Sequence, residues 1–277
     1  VGILYVVPTP IGNLEDITLR ALRILGEVAL IAAEDTRTSR VLLKHYTIET
    51  PLTSYHEHNK LTKLDQIFAT LDQADVALIS DAGMPGISDP GYELISAAIA
   101  QGYPVQVLPG ANAALTALVG SGLPTDAFVY VGFLPRKAKA RTDFLHNIAE
   151  ETRTLIAYES PNRLLESLEA IHDTLGPERS VCVAREVSKL YEEFVRGTSQ
   201  EVLAHFRVNA PRGEIVLLIG GATPQDDEWD AARIQAALQQ RLDAGESLST
   251  AAKNLAQQSG WNRRDVYALG LNPDDDA

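Results

Sequence analysis

The sequence predicts an α/β protein of two domains followed by a small helical module. Three observations predict it. Short β-rich runs alternate with amphipathic helical patterns over most of the chain. The runs of the first part are continuously apolar, as in a parallel sheet covered by helices on both faces. Beyond residue 222 the strands stop and three short helical segments remain.

The expected strands of the first part are "ILYVV" (3–7), "VALIAA" (28–33), "DVALIS" (75–80) and "YPVQVLP" (103–109). Between them, Leu94, Ile95, Ala98 and Ile99 are spaced for one helical face. The turn-rich stretch "VGSGLPTD" (119–126) is the expected linker, giving domains 1–120 and 121–222. "FVYVGFLP", "RTLIAYES", "RSVCVARE", "EEFVRGT" and "GEIVLLIGG" follow with few helices between them, so the second sheet is expected to be mixed. The tail, 223–277, opens on the acidic linker "TPQDDEWD", whose Gln225 to Glu228 are expected to be exposed. A helix from about Asp230 to Asp243, the segment "LSTAAKNLAQQSG" and "NRRDVYALGL" follow. Gly245 and Gly260 act as stops and Asn262 as an N-cap, a helix-turn-helix-like pattern.

Length and composition bound the function. At 277 residues the chain is too long for one ordinary core, and 45% hydrophobic with 22% charged is a globular composition. The net charge of −13 excludes a uniformly basic surface, so any nucleic-acid contact needs local patches. No apolar run approaches a membrane span. The opening "VGILYVV" has neither a basic region nor a cleavage site, so a cytoplasmic location is expected. Cys182, in the apolar run "SVCVA", reads as a buried inert thiol.

Four loops follow the strand ends of the first sheet: "PTPIGN" (8–13), "EDTRTSR" (34–40), "DAGMPGISDPG" (81–91) and "GANAAL" (110–115). Parallel sheets bind ligands at that edge. Neither phosphate-binding glycine motif is present, which disfavours nucleoside triphosphates and dinucleotides. The third loop instead offers backbone groups, the hydroxyls of Ser80 and Ser88, and the carboxylates of Asp81 and Asp89. These suit an amino-acid zwitterion, such as the methionine end of S-adenosylmethionine.

"VPTPIGNLEDIT", "AEDTR", "SYHEHN", "SDAGMPGISDPG", "LPGANAALTAL", "GFLPRK", "ESPNRL" and "GEIVLLIGG", in this order, resemble one family. It is the family of ribosomal small-subunit RNA 2′-O-ribose methyltransferases, within the class III, tetrapyrrole methylase-like methyltransferases. The resemblance covers about residues 2 to 221 and extends into the tail. It implies a two-domain tetrapyrrole methylase-like fold, S-adenosylmethionine in the cleft, a homodimer, and a cytidine of 16S ribosomal RNA or the 30S subunit as substrate. Ser80, Asp81, Ala82, Gly83, Met84, Ile87 and Ser88 would hold the methionine portion, with Pro10, Asn112 and Ala113 nearby. Tyr158, Ala184 and Ile215 would lie against the adenine. Tetrapyrrole methylases usually carry several glycines after the first strand, whereas "PTPIGN" has one.

A ribose hydroxyl attacks well only when its proton has an acceptor. Glu34, Asp35, His56 and Glu186 are the candidates, and the sequence does not choose among them. Asp35 also reads as a helix cap, and Lys189 is a candidate for stabilising the alkoxide. His56 and His58 lack further ligands, so no metal site is expected. For RNA, "PRKAKAR" supplies Arg136, Lys137, Lys139 and Arg141; Arg37, Arg40 and Lys44 border the expected cleft, and Arg263 and Arg264 open the last helix. Two other functions fit the same fold: a small-molecule methylase and a non-catalytic cofactor-binding module.

Overall fold

The computed structural model describes residues 1–56, 60–223 and 229–271. It forms two compact units, Val1–Ala222 and Thr223–Ala277.

The first unit begins with β1 (Leu4–Val6), a single 3₁₀ turn (Leu14–Asp16), α1 (Leu19–Glu27), β2 (Leu30–Ala33), α2 (Thr36–His45), β3 (Leu52–Ser54), α3 (Lys60–Leu71), β4 (Val76–Ile79), α4 (Tyr92–Ala100), β5 (Val105–Val107) and α5 (Ala113–Ser121). The five strands form an all-parallel sheet in the order β3-β2-β4-β1-β5. Helix-bearing clusters cover both faces, one holding Leu4, Ala32 and Leu78 and the other Ile31, Ala77 and Ile79. This is the arrangement that continuous apolar strands call for. Strand β3 was not among the expected strands. It is a three-residue edge element with one buried residue, too short for an alternation to register. Ile99, expected on the inner face of α4, is 62% exposed, while Leu94 and Ala98 are fully buried.

Next come β6 (Phe128–Phe133), α6 (Ala138–Asn147), β7 (Thr154–Glu159), α7 (Leu164–Leu175), β8 (Ser180–Arg185), β9 (Glu193–Thr198), α8 (Ser199–Val208) and β10 (Ile215–Ile219). They build a mixed sheet ordered β6-β7-β10-β8-β9, in which only β6 and β7 pair in parallel. Helices α6, α7 and α8 cover one face, around Leu145, Leu168 and Phe206. The other face is covered by α5, whose Ala114, Ala117 and Leu118 pack with Ile156, Ala184 and Leu218. Helix α5 therefore precedes the expected linker yet belongs to the packing of the second sheet. It also occupies the first part of that stretch, ending at Gly122 in a left-handed cap. Of the two glycines in that stretch, Gly120 lies inside α5 and Gly122 stops it.

The second unit contains α9 (Ala231–Asp243), α10 (Leu248–Ser259) and α11 (Arg263–Leu269), around Ile234, Leu238, Leu255 and Val266. Asp230, Ser247 and Asn262 cap the three helices through side-chain oxygens, and Gly260 ends α10 in the left-handed region. The acidic stretch Gln225 to Glu228 lies outside the described residues, as does His58. Among the described residues no helix is long and apolar enough to cross a membrane.

Candidate active site

A cavity of about 430 Å³ opens where the loops of the parallel sheet meet the strand ends of the mixed sheet. The loop after β1 contributes Ile11, that after β2 Glu34, that after β4 Asp81 through Met84 with Ile87 and Asp89, and that after β5 Asn112. Opposite lie Phe133, Tyr158, Val187, Ile215 and Val216. Register explains part of this wall. Val216 sits between Tyr158 on β7 and Ala184 on β8, so these side chains form one row on one face.

The third loop is tied down before any ligand arrives. Thr9 and Gly83 exchange both backbone hydrogen bonds, at 2.9 and 3.0 Å, so the loops after β1 and β4 form one unit. Gly83 holds φ at +80°, in the region open to glycine. A Cβ there would meet Ile11 and Ala111 only at ordinary contact distance, so the backbone angle, rather than space, demands glycine. Ser88 also has positive φ (+59°), and its hydroxyl lies 2.6 Å from that of Tyr130 on β6.

The two ends of the cavity differ chemically. At one end Glu34, Asp81 and Asp89 cluster. Burial pushes the Asp89 carboxyl up to about 6, reinforced by the charges of Glu34 and Asp81 and opposed by a Ser80 hydrogen bond. Burial also raises Glu34 and Asp81. At the other end Tyr158 meets Tyr130 and Phe133 edge-on at 5.4 and 5.7 Å, and burial raises the Tyr158 hydroxyl above its ordinary range. Behind it Glu159 is buried and fully paired: Ser160 N–H, Ser167 Oγ and Arg163 all reach its carboxylate. That pairing fixes the turn that carries Ser160 and Pro161 into the wall.

Of the expected cofactor residues, Asp81, Ala82, Gly83, Met84, Ile87, Asn112, Ala113, Tyr158 and Ile215 line this cavity. Four do not. Ala184 is fully buried in the core beneath α5. Pro10 and Ser80 border a neighbouring depression, and the Ser88 hydroxyl is engaged with Tyr130. Asn112 uses its side-chain oxygen to cap α5, accepting from Leu115 N–H at 3.0 Å. Asp89, expected from its carboxylate to face the zwitterion, lines the cavity too, whereas Phe133, Glu159, Val187, Glu214 and Val216 were not among the expected site residues. Their positions depend on how the second sheet docks, which no local pattern encodes.

The candidate bases separate on contact. Asp35 caps α2 and pairs with Arg37, which holds its carboxyl down to about 2. Glu34 lines the cavity, and its Oε2 accepts from Asp81 N–H at 3.3 Å. His56 lies near enough to lower Glu34 electrostatically. Glu186 and Lys189 do not line the cavity. Glu186, at φ +52°, accepts from Glu214 N–H and from Lys189, which also reaches Glu214 at 3.2 Å. Burial alone would lower Lys189, yet these bonds outweigh it and raise it. Its stem lies over Gly12, and the Ser188 hydroxyl donates to Asp16. Glu186 and Lys189 thus join the first loop to the edge of the second sheet.

The basic run also divides. Arg136, Lys137 and Lys139 are exposed, but Arg141 is 3% exposed and turns inward to Glu166, so it is not a surface phosphate contact. Its place one turn before the buried Leu145 was the available signal. Arg37, Arg40 and Lys44 lie exposed on α2, while Arg263 and Arg264 are exposed at the start of α11, with Arg263 bonded to Ser249. Cys182 is buried, and burial pushes its thiol up to about 11.

Gly83→Val tests the loop. A β-branched residue is strained at positive φ, so the loop must move, and S-adenosylmethionine affinity is expected to fall at least about tenfold. Calorimetric titration measures it; unchanged affinity in a folded variant would remove this loop from the site.

The sequence profile described as Tetrapyrrole (Corrin/Porphyrin) Methylases matches residues 3–203. The chain is 46% identical over 272 residues to "Ribosomal RNA small subunit methyltransferase I" of Synechocystis sp., covering 98% of each chain. It is 47% identical over 275 residues to the protein of that name from Escherichia coli O157:H7, covering 98% of this chain and 95% of that one. Among solved structures, uroporphyrin-III C-methyltransferase from Thermus thermophilus, complexed with S-adenyl homocysteine, superposes with a TM-score of 0.56 at 21% identity. The match covers 79% of this chain and 97% of that one. A cobalt precorrin-4 methyltransferase superposes at 0.60 and 16% identity, covering 79% and 94%. The chain belongs to the tetrapyrrole methylase family and, within it, to the group of ribosomal RNA small subunit methyltransferase I proteins.

Proposed function

We propose that this protein transfers the methyl group of S-adenosylmethionine to the 2′-hydroxyl of a cytidine in 16S ribosomal RNA. The observation that carries the reading is the two-ended cavity, in a chain so similar to enzymes named for ribosomal RNA methylation. Its volume suits a small-molecule ligand. The carboxylates of Asp81 and Asp89 favour the ammonium of the methionine portion. Tyr158, Phe133, Ile215 and Val216 offer a flat apolar surface to a purine. When bound, the cofactor supplies an electrophilic methyl group on a cationic sulfur. The protein's task is then to hold the ribose oxygen in line and accept its proton. Glu34 is the acceptor that fits, because it borders the cavity and burial makes it more basic than Asp35.

RNA is held by exposed cations around the cleft. Lys137 is the N-cap of α6, which has no side-chain cap bond and no acid in its first turn, while Arg136 and Lys139 flank that start. Cations are unfavourable at a helix N-terminus, so their accumulation there supports a phosphate-binding role. Arg37, Arg40 and Lys44 on α2 add exposed cations in the same unit, and Arg263 and Arg264 give the helical unit exposed cations of its own. Replacing Arg136, Lys137 and Lys139 with glutamine is expected to weaken RNA binding and flatten its salt dependence by about 0.7 per lost contact. Cofactor affinity should not change. An unaltered salt slope in filter binding would return these residues to a solvated surface.

The enzyme acts as a cytoplasmic homodimer, on naked 16S RNA or on the 30S particle. Leu115 and Val119, one turn apart on α5, and Val107 on β5, all about half or more exposed, are apolar side chains available for pairing of two copies. Mass in solution checks the dimer. The deciding experiment for the function is transfer of label from methyl-labelled S-adenosylmethionine to unmodified 16S RNA, to 30S particles, or to neither. Transfer to neither, by protein that binds the cofactor, would leave a non-catalytic module or a small-molecule methylase.

A further inference from the structure

A second depression, of about 310 Å³, lies beside the cofactor cavity, between the loop after β1, helix α2 and the loop after β4. The two hollows share one lining residue and are divided elsewhere by adjacent residues of one loop. Asp81 lines both, and Pro10 lines the depression while its neighbour Ile11 lines the cavity. We propose that this depression seats the acceptor nucleotide and prefers a base with an exocyclic amine to one with an oxygen in its place. The proposal rests on the methyl-transfer reading and adds where the acceptor lies and why a cytidine is chosen.

An acceptor oxygen must come within about 3.5 Å of the methyl carbon. A hollow that shares a wall with the cofactor cavity allows that approach; a site elsewhere on the surface does not. The lining suits a splayed nucleotide. Pro10, Leu14 and Val41 offer apolar surface for a base face, and Val41 is 67% exposed at the rim. Single-stranded RNA is bound by stacking the base and reading its edge. Arg37 and Arg40 stand exposed on the same helix for the flanking phosphates.

The preference follows from where the hydroxyl protons go. Thr9 Oγ1 donates to the Ser80 carbonyl at 3.1 Å, and Ser39 Oγ to the Asp35 carbonyl at 3.0 Å. Ser80 Oγ directs its proton into its own loop, toward the Gly83 and Ala82 carbonyls at 3.4 and 3.5 Å and close enough to Asp89 to lower its carboxyl. A hydroxyl has one proton, so these three retain only acceptor capacity. Asp81, whose Oδ1 accepts from Asp35 N–H, adds a further acceptor group. The buried floor formed by Thr9, Ser39 and Ser80, as distinct from Thr38 at the exposed rim, pairs with the amine of cytosine and leaves the corresponding uracil oxygen facing lone pairs. A carboxylate accepting from cytosine N4 is a recurrent contact of this kind.

Two variants on the exposed rim of α2, Thr38→Trp and Val41→Trp, fill the hollow without touching the core. Each is expected to lower kcat/KM for RNA methylation at least about tenfold while the S-adenosylmethionine Kd, by calorimetry, stays within about twofold. The unmodified protein is expected to methylate a 16S fragment with the target cytidine at least about tenfold faster than the same fragment carrying uridine. Full activity in both tryptophan variants would overturn the seat, and equal rates on cytidine and uridine would overturn the preference. If the unmodified protein binds the cofactor but methylates neither 16S RNA nor 30S particles, the methyl-transfer reading itself fails, a result distinct from either.

Discussion

Glu34→Gln is expected to slow methyl transfer to 16S RNA by about 10²- to 10³-fold, the range for losing a positioned general base. S-adenosylmethionine affinity should stay within about threefold. Glu34 follows directly on β2, so the parallel sheet fixes its backbone at the cleft edge. Its Oε2 accepts from Asp81 N–H, a bond that glutamine keeps through its own carbonyl oxygen. What glutamine lacks is a site for a proton. Burial raises the Glu34 carboxyl above its ordinary value, with the charges of Asp81 and Asp35 adding to the rise. The ionised form is the base, so the wild-type rate should climb as pH rises through that raised pKa and then level. Single-turnover rates between pH 5 and pH 8 check both parts. An unchanged rate in Glu34→Gln would mean that the proton leaves to solvent and that alignment alone carries the reaction. Asp35→Asn should be comparatively mild in chemistry, because that carboxylate already serves Arg37 and the cap of α2.

The sequence marked Asp35 as a helix cap because a short acid stands before "TRTSR", but left Glu34 and Asp35 both open as the base. What separates them is that capping consumes Asp35 while Glu34 stays at the cavity, and that depends on the exact first residue of α2. The loops themselves were legible because glycine and proline mark turns, and parallel topology then brings the turns to one edge. The strands of the mixed sheet were legible for a related reason: apolar runs such as "IVLLI" leave little choice of environment. Elements decided by distant packing were not. The face of α6 that buries Arg141, the docking of α5 on the second sheet and the wall formed by Phe133 and Val216 depend on contacts between segments far apart in sequence.

Asp89→Asn should make the protein more stable and its cofactor site weaker. In the folded chain the Asp89 carboxyl titrates at about 6, against 3.8 for an ordinary aspartate, first because it is buried and then because Glu34 and Asp81 stand nearby. Folded protein therefore binds more protons than unfolded chain between about pH 4 and pH 6. Stability contributed by this residue must fall as pH rises through that window. A rise of this size corresponds to roughly 3 kcal/mol of unfavourable ionisation at neutral pH, which partial solvent screening reduces to about 1–2 kcal/mol. Asparagine keeps the shape and removes the charge, so urea melts at pH 7.5 should show a gain of that order, shrinking toward pH 5. The same charge is what a cationic ligand needs. An ammonium beside Asp89 would hold it ionised, so binding releases a proton and affinity in the wild type should rise with pH through about 6. In the variant, S-adenosylmethionine affinity at pH 7.5 is expected to drop at least about tenfold. Its pH dependence should flatten to what Glu34 and Asp81 still contribute. A variant that is stabilised but binds normally would place Asp89 away from the ligand. One that is destabilised would mean that the hydrogen bond from Ser80 outweighs the cost of burying the charge. Loss of affinity together with gain of stability is the outcome that a carboxylate held in place for a cation requires.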